Sequence, residues 1–415
     1  MGNTRLWKKL TSHEIKDRVA NALKRNINFY EHTVFGVPAS HLDGNVFYNN
    51  APFLADAPFL SSLVQNPNHI GCHTMGNSEP FFQGTQAIEE ELIRICAEDI
   101  FEGEPYAQDG YVASGGTEAN IQAIWMHRNY FMKKMNAKAH EIAIICSSDS
   151  HYSMHKASDL LQLSIYTVPV DFQTREIAED TLMEVMKKAK EEGIKYGIVV
   201  VNMMTTMFGS VDSDELYVQV MEHYGMPFRI HIDGAFGGFV YPFSNDKGCK
   251  LSFKNKHIHS ITLDAHKMVQ APYGTGIFLT RKGMMEDVLT DEAQYVKGMD
   301  STLSGSRSGA NAIAVWMILS TYGPHGWFEK ISLLIKRATW LSNQLTKLGI
   351  RHYRHPMSNI ITMQSEGISK EIAGKYGLVP DDHHAPKWYK IVVMEHVTVD
   401  GLEPFVEEVR EKIGV

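Results

Sequence analysis

Between residues 117 and 280 the chain alternates strand-length apolar runs with helical patterns, and no other feature restricts its fold as strongly. The apolar runs lie at 141–146, 164–168, 197–203, 229–232, 260–263 and 276–280, with helical patterns such as 117–135 and 180–191 between several of them. Strands buried on both faces read as continuous apolar runs, and strand–helix alternation builds a mainly parallel sheet covered by helices. The expected class is therefore α/β, with ligands held by loops at the carboxyl ends of the strands.

The flanks have a different texture. Residues 12–25 are helical in pattern, and the rest of the first 60, rich in aromatic residues, Asn and Pro, read as an arm lying on another surface. Ile88, Leu92, Ile95 and Cys96 form one helical stripe, with Glu89, Glu90 and Glu91 in the first turns, where the helix dipole favours them. After residue 310 come helical stretches at 310–322 and 327–348, short strands at 360–363 and 390–394, and a closing helix with Leu402, Phe405, Val406 and Val409 on one face. The expected organisation is an N-terminal arm (1–60), a large ligand-binding domain (61–310) and a small C-terminal α+β domain (311–415).

Composition removes several classes of function. Forty Lys+Arg against 48 Asp+Glu leave a net charge of -8, no footprint for a nucleic-acid backbone. Cys72, Cys96, Cys146 and Cys249 show no C-x-x-C spacing and read as thiols of a reducing compartment. The first nine residues have no apolar run of a secretion signal, Leu6 stands where myristoylation needs Ser or Thr, and every charge-free stretch is interrupted by polar residues or proline. A cytoplasmic protein without a membrane segment is expected.

Several motifs carry chemistry-bearing residues. The run 260–263 leads into Asp264-Ala265-His266-Lys267, followed by Tyr273-Gly274-Thr275-Gly276. A lysine leaving an apolar strand among small residues is placed to lose hydration and form a Schiff base; the same tetrapeptide also suits a lysine snorkelling into solvent. Asp233 closes the run 229–232 and precedes Gly234-Ala235-Phe236-Gly237-Gly238, small enough for a flat ring to approach. A carboxylate there can keep a ring nitrogen protonated and make the ring an electron sink, although alone it also serves as a cap or loop anchor. Gly115, Gly116 and Thr117 open the helix of Ile121, Ile124 and Trp125; their free N–H groups and the positive dipole end suit a phosphate, or make an ordinary glycine-rich cap.

His151 follows the strand ending at Cys146 and could stack on a ring, and Thr205 and Thr206 offer hydroxyls to the same crevice; a solvated histidine and a plain turn are the alternatives. Asp381-Asp382-His383-His384 with His396, and His352 with His355, are ligand types without a spacing that defines a geometry, so no metal site is assigned.

In this order the motifs resemble the pyridoxal-phosphate-dependent group II amino-acid decarboxylases. Phe82-Gln83-Gly84-Thr85, Ser114-Gly115-Gly116-Thr117-Glu118-Ala119-Asn120 and Thr302-Leu303-Ser304-Gly305-Ser306-Arg307-Ser308-Gly309 look most like the compact tyrosine/aspartate decarboxylases of archaea, with bacterial histidine decarboxylases as more distant relatives. The resemblance implies the aspartate-aminotransferase-like fold, called fold type I, and pyridoxal 5'-phosphate as cofactor. It implies that Lys267 holds the cofactor covalently, Asp233 pairs with the pyridine nitrogen, and His151 and Ala235 flank the ring. Gly116, Thr117 and His266 would contact the phosphate, and Thr205 or Thr206 the phenolic oxygen. Arg307 would grip the substrate α-carboxylate, and Tyr295, in Ala293-Gln294-Tyr295-Val296, would protonate the substrate Cα. A homodimer with shared active sites is implied, the arm and the loop around Ser304 serving the neighbouring subunit.

One departure concerns substrate. Where the archaeal enzymes tend to carry Gly-Asp-Pro, this chain has Gly76-Asn77-Ser78-Glu79-Pro80. His73, Asn77 and Glu79 are the candidates for the side-chain pocket, and Phe81 and Phe82 tilt the expectation to an aromatic amino acid such as tyrosine, with histidine or an acidic one as alternatives. The rival functions are transamination, decarboxylation coupled to oxidative deamination, or cofactor binding without turnover.

Overall fold

The computed structural model describes residues 7–26, 61–63, 68–70, 76–77, 79–244, 248–290, 298–395 and 397–414. In chain order the strands are β1 (Asn68–Ile70), β2 (Gln108–Ala113), β3 (Ile142–Ser147), β4 (Ser164–Val168), β5 (Tyr196–Asn202), β6 (Phe228–Asp233), β7 (Ile258–Asp264), β8 (Gly276–Arg281), β9 (Ser306–Ser308), β10 (His352–Tyr353), β11 (Ile360–Gln364), β12 (Val379–Pro380) and β13 (Trp388–Val392). Seven of them form the central sheet, in the order β2-β8-β7-β6-β5-β3-β4. Strands β3 to β7 pair in parallel, while β8 runs antiparallel to both β7 and β2. Every residue of β3 is buried, as the uninterrupted apolar run requires of a strand covered on both faces.

The edge strand β2 was not visible as an apolar run: its Gln108 and Asp109 are polar yet buried. The helix Gln83–Arg94 buries Ile88 and Leu92 as expected, then continues as a π-helical turn over Ile95–Ile100. The two helical stretches after residue 310 are one helix, Gly309–Lys347, broken at Gly323 with φ 64. A side chain at Gly323 would collide with Lys9, so the break receives the start of the chain, and Leu10 N–H donates to Ser320 O at 2.8 Å. Before and just after the bend, Trp316 and Trp327 pack in the main core. Farther on, Ala338, Leu341 and Leu345 pack with Ile361, Met363 and Val409 in a second core. That core lies on a four-stranded antiparallel sheet ordered β10-β11-β13-β12.

Cys96, Cys146 and Cys249 are buried free thiols; Cys72 lies outside the described residues. Among the described residues no helix is long and apolar enough to cross a membrane.

Candidate active site

The carboxyl ends of adjacent parallel strands deliver Asn202 (β5), Asp233 (β6) and Asp264 (β7) side by side, as the sheet order dictates. Both Asp233 oxygens are already oriented: Oδ1 accepts from Ala235 N–H at 3.1 Å and Oδ2 from Asn120 Nδ2 at 2.9 Å. Asn120 also donates to Ser153 Oγ at 3.0 Å, and Ser153 Oγ lies 2.9 Å from His151 Nδ1. One amide thus ties the acid to the histidine expected above the ring. Burial lowers the His151 pKa although Asp233 opposes it, a direction that favours the neutral imidazole.

Gly115, Gly116 and Thr117 sit where β2 runs into the helix Gly116–Met135. A side chain at Gly276 would strike the Gly115 backbone, which explains why β8 begins with glycine. Gly116 N–H donates to Asp264 Oδ2 at 3.0 Å, and His266 Nδ1 stands 2.7 Å from Asp264 Oδ1. The carboxylate expected to be only part of the lysine motif therefore ties the glycine turn to that motif. Burial raises the Asp264 pKa, with the neighbouring His266 and Lys267 opposing it.

Lys267 is half-buried, and no hydrogen bond or ion pair to another described residue holds its ammonium. Its charge reaches His151 and Asp264, and that of Lys390 on β13. Lys390 was read only as part of a strand, yet its Nζ donates to Thr206 O at 2.9 Å, and burial together with Lys267 lowers its pKa. Thr205 and Ser210 share a hydroxyl hydrogen bond of 2.7 Å across the turn after β5, whereas Thr206 is exposed. Behind that turn, Asp212 Oδ2 accepts from Asn202 N–H at 2.9 Å and from Asn202 Nδ2 at 2.7 Å, and burial pushes its pKa up to about 7.

Arg307, expected at the substrate carboxylate, is paired with a buried glutamate. Its NH1 and NH2 both donate to the Glu89 carboxylate, its NH1 also reaches Val112 O at 3.3 Å, and its guanidinium lies 4.9 Å from the Tyr111 ring centre. Glu89 belongs to this interior pair rather than to an exposed first turn. Asn77 is exposed and Glu79 half-buried just before the helix Gln83–Arg94. His73 and Tyr295 lie outside the described residues. Among the described residues no three His, Cys, Asp or Glu side chains converge as metal ligands. Asp381 Oδ1 accepts Lys387 and Trp388 N–H groups at 2.9 and 3.0 Å, and Asp382 Oδ1 accepts His384 N–H at 2.7 Å.

A family model described as the pyridoxal-dependent decarboxylase conserved domain matches residues 89–353. Over 408 residues the chain is 50% identical to a tryptophan decarboxylase of Clostridium sporogenes, covering 98% of each chain. It belongs to the pyridoxal-dependent decarboxylase family. This decarboxylase is also 32% identical over 346 residues to the L-aspartate decarboxylase of Thermococcus kodakarensis, covering 79% of its own length and 83% of that chain. Its fold matches L-methionine decarboxylase of Streptomyces sp. 590 with a TM-score of 0.70 at 20% identity, covering 83% of this chain and 86% of that one, and is fold type I of the pyridoxal-phosphate enzymes.

The residues present fit that cofactor. Gly116 leaves a cradle, since a Cβ there would stand 3.0 Å from Asp264 Oδ2 and 3.2 Å from Ala235 Cβ. The Asp233 carboxyl group has further lone pairs that would accept a ring N–H, and Lys267 would offer the amine. The decarboxylase is a pyridoxal-phosphate-dependent enzyme acting on an amino acid.

Proposed function

We propose that this chain converts an aromatic L-amino acid, L-tryptophan first among them, to its amine and CO2, using Lys267 as the cofactor lysine. The observation that carries the substrate is the 50% identity, over 98% of each chain, to a tryptophan decarboxylase. It moves the expectation from tyrosine to a larger aromatic side chain.

Gly115, Gly116, Thr117 and His266 hold the phosphate, His151 and Ala235 flank the ring, and Asp233 holds the proton on its nitrogen. Thr206 serves the phenolic oxygen, because the Thr205 hydroxyl is engaged with Ser210. When bound, pyridoxal phosphate supplies an electron sink for the pair that departing CO2 leaves on Cα. Lys390 orients the α-carboxylate in place of Arg307, since Arg307 gives both NH1 and NH2 to Glu89 while Lys390 Nζ is anchored at Thr206 O on the turn after β5. Burial of Asp233 and Thr205 limits competing water. Tyr295 delivers a proton to Cα, and Lys267 accepts and returns protons at the amine nitrogen. His73, Asn77 and Glu79 line the side-chain pocket, and a homodimer in which the arm and the Ser304 loop serve the neighbour completes the site.

The test is product analysis of the purified enzyme on a panel of amino acids. Tryptamine and CO2 in equal amounts from tryptophan, with slower turnover of tyrosine, support the proposal. CO2 with ammonia and an aldehyde, a keto acid without CO2, or preference for aspartate each overturn it.

A further inference from the structure

A chain of buried polar groups runs from Asp233 away from the cofactor side, and no step above uses it beyond Asn120. Asp233 Oδ2 meets Asn120 Nδ2 at 2.9 Å, Asn120 Oδ1 meets His231 Nε2 at 3.0 Å, His231 Nδ1 meets Ser260 Oγ at 2.8 Å, and Ser260 Oγ meets His127 Nε2 at 2.8 Å. None of Asn120, His231, Ser260 and His127 is more than 1% exposed. Polar groups so deeply buried cost free energy unless they are satisfied, so apolar residues would pack at lower cost if packing were all they did.

The direction of every bond follows from the first. Asn120 turns its amide nitrogen to Asp233 Oδ2, which accepts, and therefore its carbonyl to His231. His231 must then carry its proton on Nε2, where Thr262 Oγ1 also lies at 3.3 Å, and its Nδ1 accepts from the Ser260 hydroxyl. Ser260 Oγ in turn accepts from His127 Nε2–H, and the chain ends at His127 Nδ1, a buried lone pair without a hydrogen-bond partner among the described residues. Burial holds both imidazoles neutral: His231 falls to about 4, and His127 falls well below the usual histidine range, with Arg229 adding to the effect.

The geometry points to His231, Ser260 and His127 as positioning residues, a one-way series of donors that holds the Asp233 carboxyl group as an acceptor and so keeps the proton on the ring nitrogen it faces. Aligned hydrogen bonds polarise one another, so each donor strengthens the last. The inference rests on the reading of Asp233 as the partner of that nitrogen.

Two measurements test it. In the wild-type protein without cofactor, 15N NMR of the histidine rings is expected to show His231 and His127 as neutral Nε2–H tautomers from about pH 6 to 8; an Nδ1–H tautomer or a charged ring at His231 overturns the chain, whether or not any variant folds. In the holoenzyme, His231→Gln keeps an N–H for Asn120 Oδ1 and His231→Leu does not. The 15N signal of the cofactor ring nitrogen is expected to stay in the protonated range in His231→Gln and to leave it in His231→Leu, with kcat falling roughly tenfold and KM within about twofold. Asp233→Asn separates the two readings. If it deprotonates the ring nitrogen and His231→Leu does not, the chain is wrong; if Asp233→Asn leaves the nitrogen protonated, the role of Asp233 itself is wrong.

Discussion

Replacing Glu89 by glutamine tests whether Arg307 belongs to the interior or to the substrate. The Glu89 side chain is 1% exposed and that of Arg307 5%, and Glu89 Oε1 also accepts Val112 N–H at 2.7 Å. Glutamine keeps the shape and the acceptor for Val112 but removes the counter-charge, leaving a guanidinium where water barely reaches. Breaking one side of a buried pair costs about 3–5 kcal/mol, a large part of the roughly 5–15 kcal/mol that holds a domain folded. With a urea dependence of about 3 kcal/mol/M, the midpoint falls by about 1 M or more. Arg307→Met costs less, because a lone buried carboxyl can take up a proton. The double variant that combines Glu89→Gln with Arg307→Met recovers most of the loss, giving a coupling of about 2 kcal/mol or more in the double-mutant cycle. Urea unfolding followed by circular dichroism reads all four proteins, with KM measured beside it. A coupling below about 0.5 kcal/mol would refute the pair. An Arg307→Met enzyme as stable as the wild type but with KM raised about a hundredfold would return the carboxylate to Arg307.

Three further outcomes follow from the site. Asp212, with its folded pKa near 7 against an unfolded value near 4, favours the folded state in acid and loses that contribution as pH rises through 7, up to about 4 kcal/mol. Asp212→Asn should therefore gain stability over the wild type as unfolding is measured from about pH 5 to 8, and a difference that is flat or falls with pH contradicts the burial argument. Lys390→Met should raise KM roughly 10- to 100-fold with a smaller change in kcat, and Lys390→Arg should restore much of it; an unchanged KM removes Lys390 from the carboxylate site. Sedimentation of the active enzyme should give twice the chain mass, and a fully active monomer would contradict shared sites.

The strand ends were legible because β3 and β5 are continuous apolar runs and β6 and β7 largely apolar ones that stop at a polar residue, so Asp233 stood out at the end of β6 and Lys267 three residues beyond β7. Strand β2 did not, since its Gln108 and Asp109 are polar in sequence and buried only through tertiary packing. Asn120 stood inside a quoted motif without a role, because nothing along a helix says which strand acid its amide will face. His231 and Ser260 looked like polar interruptions of apolar runs, and only the alignment of β6 with β7 shows them joined at 2.8 Å. Arg307 and Glu89 are 218 residues apart, and a charge pair at that separation leaves no periodic trace. Lys390 is only the first residue of a short strand in sequence, and its bond to Thr206 O shows only in the fold.

The central claim is that Lys267 is the amine that carries pyridoxal phosphate. Borohydride reduction of the yellow holoenzyme, followed by peptide mass spectrometry, tests it most directly. A reduced cofactor adduct on the peptide containing Lys267, absent from Lys267→Ala together with the visible absorbance band, is the expected result. An adduct on Lys390 or on another lysine, or a Lys267→Ala protein that keeps the band and still releases CO2, would contradict the account.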